Sequence, residues 1–107
     1  MPVLICLSTC PDAASAERIA TALVEERLAA CVNILPGLRS VYRWQDQIEA
    51  ANEVLLLIKT SAETYPALQV RLTALHPYEL PELLAVEAAT GLPAYLEWVA
   101  EQTRPLD

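Results

Sequence analysis

Glycine is nearly absent. Gly37 and Gly91 are the only two in 107 residues, so the chain has no glycine-rich loop to cradle a phosphate. Basic residues are also scarce. Seven Lys and Arg face 14 Asp and Glu, a formal charge of −7. A nucleic-acid binder needs a cationic footprint to displace counterions, which argues against that class. The acidic excess suits either a bound cation or simple solubility. Three cysteines are an odd number and make no disulfide framework, so a reduced, cytoplasmic setting is expected. The apolar start, Met1 to Leu7, has no cationic lead and stops at Ser8, too short for a secretory signal or a membrane span. Repeats, linkers and low-complexity stretches are missing, and residues 1–107 read as one domain.

What is present begins with the stretch from Cys31 to Thr60. Two runs rich in Val, Ile, Leu, Tyr, Trp and Thr flank Gln45-Asp46-Gln47, the pattern of a β-hairpin. Strands usually run about 5–6 residues, and each arm here is roughly twice that. An uninterrupted arm would reach ~40 Å at about 3.3 Å per residue. A compact chain of this size is only ~35 Å across. Unless Pro36-Gly37 bends it, the hairpin outgrows its own domain. Its far half carries Val41, Tyr42, Trp44 and Ile48, which are costly to leave in water. A hydrophobic content of 54% exceeds the usual 45–50% and again leaves apolar surface to spare. A partner subunit is expected.

The remaining elements follow from periodicity. Val3 to Leu7 is a continuous apolar run suited to a central strand, with Ser8 to Asp12 as a turn and Asp12 as an N-cap. Ala16, Ile19, Ala20 and Leu23 mark one face of a helix over 13–29. Thr60-Ser61-Ala62-Glu63 matches a capping box. Tyr65, Leu68, Leu72 and Leu75 define a second helix, started close to Tyr65 with Pro66 in its first turn and ended by His76-Pro77. Residues 83–88 read as a short buried strand. A last helix opens after Gly91-Leu92-Pro93 with Tyr95, Leu96, Trp98 and Val99 as its apolar stripe. The order β-α-β-β-α-β-α predicts an α+β fold, ferredoxin-like, with an extra C-terminal helix and a long hairpin between the second and third strands. Two helices on one side of a four-stranded antiparallel sheet leave the other side bare, a second reason to expect a partner.

Four groups could carry chemistry, each with a plainer reading. Cys6 and Cys10 bracket the end of the first strand, where copper chaperones of similar topology place a Cys-x-x-Cys loop for Cu(I); the Cys-x-x-x-Cys spacing here and the apolar setting of Cys6 favour core residues instead. Cys31 reads as core, or as a Cu or Zn ligand if it met an imidazole. His76-Pro77-Tyr78-Glu79-Leu80-Pro81-Glu82 holds the only histidine in a proline-stiffened polar loop, either a helix C-cap or a ligand site. Lys59 shares a strand face with Leu55 and Leu57 and must pair with a carboxylate, snorkel, or meet an anion. No nucleophile arrangement is recognisable. Acylphosphatases of this topology need an anion-binding loop with Arg after the first strand, which Ser8-Thr9-Cys10-Pro11 does not supply. A non-enzymatic protein is expected.

These blocks together resemble the CutA family of divalent-cation tolerance proteins. The likeness rests on Arg27 to Asn33, Ser40 to Trp44, Glu53 to Thr60, His76 to Glu79 with Pro81-Glu82, and Tyr95 to Trp98. It implies a homotrimer of ferredoxin-like subunits, similar to PII signalling proteins, with hairpins pairing between neighbours. It further implies divalent metal, Cu(II) or Zn(II), as ligand. Cys31, Tyr42, Trp44, Lys59, His76, Tyr78 and Glu82 would gather near a cleft between subunits. His76, Cys31 and Glu82 are the expected metal ligands; Tyr42, Trp44, Lys59 and Tyr78 are the expected walls. The alternative is a PII-like sensor holding a small anion against Lys59, or a trimeric scaffold. In place of the glycine common at the hairpin tip this chain has Asp46, and Ser8 stands where some members carry cysteine.

Overall fold

A computed structural model describes residues 2–106. Seven elements follow one another as β1 (Val3–Cys10), α1 (Ala13–Glu25), β2 (Cys31–Trp44), β3 (Gln47–Ser61), α2 (Tyr65–Leu75), β4 (Leu84–Glu87) and α3 (Pro93–Gln102). The strands form one antiparallel sheet in the order β2-β3-β1-β4. This is the ferredoxin-like arrangement, with α3 added.

One sheet face carries the main core. Cys6, Cys10, Val54, Leu56 and Ile58 meet Ala16, Ile19 and Leu23 of α1 and Leu68 and Leu72 of α2. The period-2 alternation of the strands and the i, i+3, i+4 stripe of α1 therefore meet as their patterns require. Asp12 caps α1, its Oδ1 accepting from the Ser15 amide at 2.7 Å. The opposite face is bare only in part. Helix α3 crosses one end of it, where Val99 packs with Val3 and Ala30. Ile5, Leu7, Leu55 and Leu57 on that face are half-buried, and Leu84 and Val86 are exposed.

Several boundaries differ from expectation. Helix α1 stops at Glu25 rather than Ala29, because Arg27 takes a left-handed conformation (φ 61°) that turns the chain back. The Arg27 side chain then donates to the carbonyls of Glu101 and Arg104, at 2.7 and 2.8 Å, and so caps the end of α3. Strand β1 continues through Ser8, Thr9 and Cys10, which pair with Leu56, Leu55 and Val54 instead of turning. Thr60 is no helix cap. It lies fully buried in β3 with its hydroxyl donating to the Leu28 carbonyl at 2.7 Å, and Thr64 precedes α2. Strand β4 is an exposed edge rather than a buried strand. In α3, Tyr95 and Trp98 stack on each other while remaining exposed, so only Val99 and Leu96 of the expected stripe pack inward.

The hairpin has the expected length. Its arms are 14 and 15 residues long, joined by Gln45-Asp46, both at positive φ (50° and 65°). That is the signature of a tight primed turn. The molecule is correspondingly elongated, 45 × 27 × 22 Å. Beyond the helices, Val41 is 69% and Ile48 65% exposed.

Candidate binding cleft

The cleft depends on one irregularity in β2. Leu35 pairs with Leu55, but the next pair is Leu38 with Glu53, so two residues of β2 oppose one of β3. Pro36 and Gly37 form this bulge, with Gly37 at φ 86°. A proline and a bulge are tolerated because β2 is an edge strand. The extra residue inverts the phase of everything distal to it. Cys31, Asn33 and Leu35 share the side of Leu55, Leu57 and Lys59; past the bulge, it is Tyr42 and Trp44 that occupy this side, opposite Glu49 and Gln47. Both aromatic side chains thereby arrive on the side of Thr9 and Glu53.

There they wall a cavity of about 300 Å³. Thr9, at the end of β1, and Glu53, on β3, supply further wall, and the loop after α2 closes it with Tyr78, Glu79, Leu80 and Glu82. The loop is tied down from beneath by Ser8, whose buried hydroxyl donates to the Glu82 carbonyl at 2.7 Å. Glu53 is only 8% exposed and accepts the Tyr78 hydroxyl at 2.5 Å. Burial, and then the Glu53 carboxylate it donates to, push the Tyr78 phenol well above its ordinary range. Tyr78 is therefore a fixed donor. Among the described residues no Lys or Arg lines the cavity.

His76 stands behind this wall and does not line it. Its ring is 7% exposed and 4.8 Å from the Tyr78 ring. Nε2 donates to the Thr9 carbonyl at 2.8 Å, and Nδ1 accepts from the Tyr78 amide at 3.1 Å. These partners define the Nε2–H tautomer. Both nitrogens are engaged, so the imidazole positions Tyr78 and presents no free lone pair.

Of the residues expected to gather, Tyr42, Trp44, Tyr78 and Glu82 come together. Cys31 and Lys59 do not. They face each other across β2 and β3 at the level of Ile5. Thr9 is four residues further along β1, about 13 Å, and β2 lies ~10 Å to the side. Cys31 lies beside Tyr95 of α3, and Lys59 is hydrogen-bonded to the Asn33 amide oxygen rather than to a carboxylate. His76, Cys31 and Glu82 therefore form no common ligand set within one chain. Among the described residues no group of three or more His, Cys, Asp or Glu could hold a metal ion. Cys6 and Cys10 are core residues; burial raises both thiols to about 11, with Asp12 and Glu53 adding to the effect at Cys10.

Glu53, Thr9 and Glu79 were not singled out from the sequence as wall residues. A signal for Glu53 existed. It falls in the phase of Leu55 and Leu57, where a carboxylate has no reason to be unless something polar meets it.

Comparison with known proteins then decides the family. The family model described as CutA1 divalent ion tolerance protein matches residues 4–102. The chain belongs to this family. It is 52% identical over 99 residues to the divalent-cation tolerance protein CutA of Thermus thermophilus, covering 92% of this chain and 96% of that one. Protein CutA of Mus musculus is 46% identical over 95 residues, 89% of this chain but 54% of the mouse protein. The chain thus spans about half the length of that relative. The crystal structure of CutA from Xylella fastidiosa superposes with a TM-score of 0.93 at 54% identity, covering 95% of this chain and 98% of the other. Relatives carry names from different compartments, chloroplastic in Arabidopsis thaliana and periplasmic in Archaeoglobus fulgidus. Among the described residues no helix is long and apolar enough to cross a membrane.

Proposed function

We propose that this protein takes part in the response to divalent metal ions, binding Cu(II) or Zn(II), as a non-enzymatic cytoplasmic homotrimer. Membership of the CutA1 divalent ion tolerance family supports the role. The observation that carries it for this chain is the cleft, where Glu53, Glu79 and Glu82 share one cavity that no basic residue among those described lines. Such a wall attracts cations and repels anions, so an anionic ligand held by Lys59 is not favoured. Of the three expected ligands, Glu82 is the one that lines the cavity. His76 joins only if one ring nitrogen gives up its backbone partner, and Cys31 takes no part in the cleft of its own chain. Imidazole and carboxylate together suit Cu(II) and Zn(II).

Calorimetric titration with Cu(II) and Zn(II) tests the site. Glu82→Gln is expected to weaken binding about tenfold, on the scale of one lost charged ligand. Parent-like affinity in both Glu82→Gln and His76→Asn would discard the cleft as the metal site. The trimer has its own test. The exposed hairpin tip and the partly open sheet face both call for cover, and a well-folded monomer at micromolar concentration in sedimentation would sink that part of the proposal.

A further inference from the structure

We draw no further inference here: the strongest candidate, the side-chain cluster of Cys31, Asn33, Lys59 and Tyr95 where α3 meets the partly open sheet face, carries nothing, because it holds a single thiol on the face that the proposed neighbouring subunit covers and nothing among the described residues points to a ligand there.

Discussion

Replacing His76 tests whether the only histidine is a latch for the cleft. The ring joins β1 to the loop after α2 by two hydrogen bonds, Nε2–H to the Thr9 carbonyl and the Tyr78 amide to Nδ1, at 2.8 and 3.1 Å. Each bond contributes about 1 kcal/mol net, and leaving a buried partner unsatisfied costs ~1–3 kcal/mol. His76→Ala should therefore lower stability by about 2–4 kcal/mol. At about 4–5 °C per kcal/mol for a chain of just over 100 residues, the melting temperature should fall by roughly 8–20 °C. Two further variants divide the effect. Asn places an acceptor near the position of Nδ1, and Gln a donor near that of Nε2, so each should recover about half of the loss. Urea unfolding at one fixed protomer concentration measures all four proteins, since oligomer stability depends on concentration. Hydrogen exchange at the Tyr78 amide provides a local readout and should accelerate in His76→Ala and His76→Gln but not in His76→Asn. An alanine variant within about 0.5 kcal/mol of the parent refutes the latch. If Asn and Gln are both as unstable as Ala, ring packing rather than hydrogen bonding holds the loop.

Other consequences can be measured in the same way. Arg27→Ala removes the two bonds that cap α3 and should cost about 1–2 kcal/mol, with faster exchange at the last amides of α3; Arg27→Gly should regain part of this because Gly is unstrained at φ 61°. The Asp12 carboxyl is held below its ordinary 3.8 by the Ser15 amide and hydroxyl. Its contribution is fully present above 3.8 and is lost as pH falls through the lowered value, so Asp12→Asn should flatten that part of the acid-unfolding profile. A profile identical to the parent's would count against the cap. Cys6 and Cys10, buried and raised to about 11, are almost wholly thiols at pH 8. Both should resist Ellman's reagent in the native protein and react in denaturant; modification of either before unfolding would contradict the core assignment.

The fold was largely readable because its signals are redundant. Helix α1 declares itself by an apolar stripe and a cap, and the hairpin by two long β-rich runs. What could not be read depends on contacts distant in sequence. Thr60 matches a helix cap by local pattern, but the Leu28 carbonyl claims its hydroxyl from 32 residues away. Strand β1 runs through Ser8 to Cys10 because β3 is long enough to pair there. The site was half legible. Tyr42, Trp44, Tyr78 and Glu82 were expected from family resemblance, and they do share a cavity. Alternation counted straight from Cys31 would have put Val41 and Arg43 on that side instead. Only the bulge at Pro36-Gly37 reverses the count, and Pro-Gly by itself announces a bend, not a phase shift.

That phase shift also separates the hairpin into two faces with different work. Tyr42, Trp44, Glu49 and Gln47 share one side, and Val41, Arg43, Ile48 and Ala50 the other. The first side closes the cleft. The second continues the helix-bearing face of the sheet past the end of its helices, which is why Val41 and Ile48 stand 69% and 65% exposed. Burying such side chains stabilises by about 1.5–3 kcal/mol each, so a neighbouring subunit seated there would gain several kcal/mol per interface. Assembly and cleft should then respond to different substitutions. The pair Val41→Lys and Ile48→Lys should dissociate the proposed trimer at micromolar concentration, as read by sedimentation, because two desolvated ammonium groups replace two apolar contacts. Trp44→Ala should weaken ligands while leaving the sedimentation coefficient closer to the parent's. A trimer that tolerates both lysines would show that the tip is not where neighbours meet, and the need for a partner would then fall on the sheet face around Leu84 and Val86.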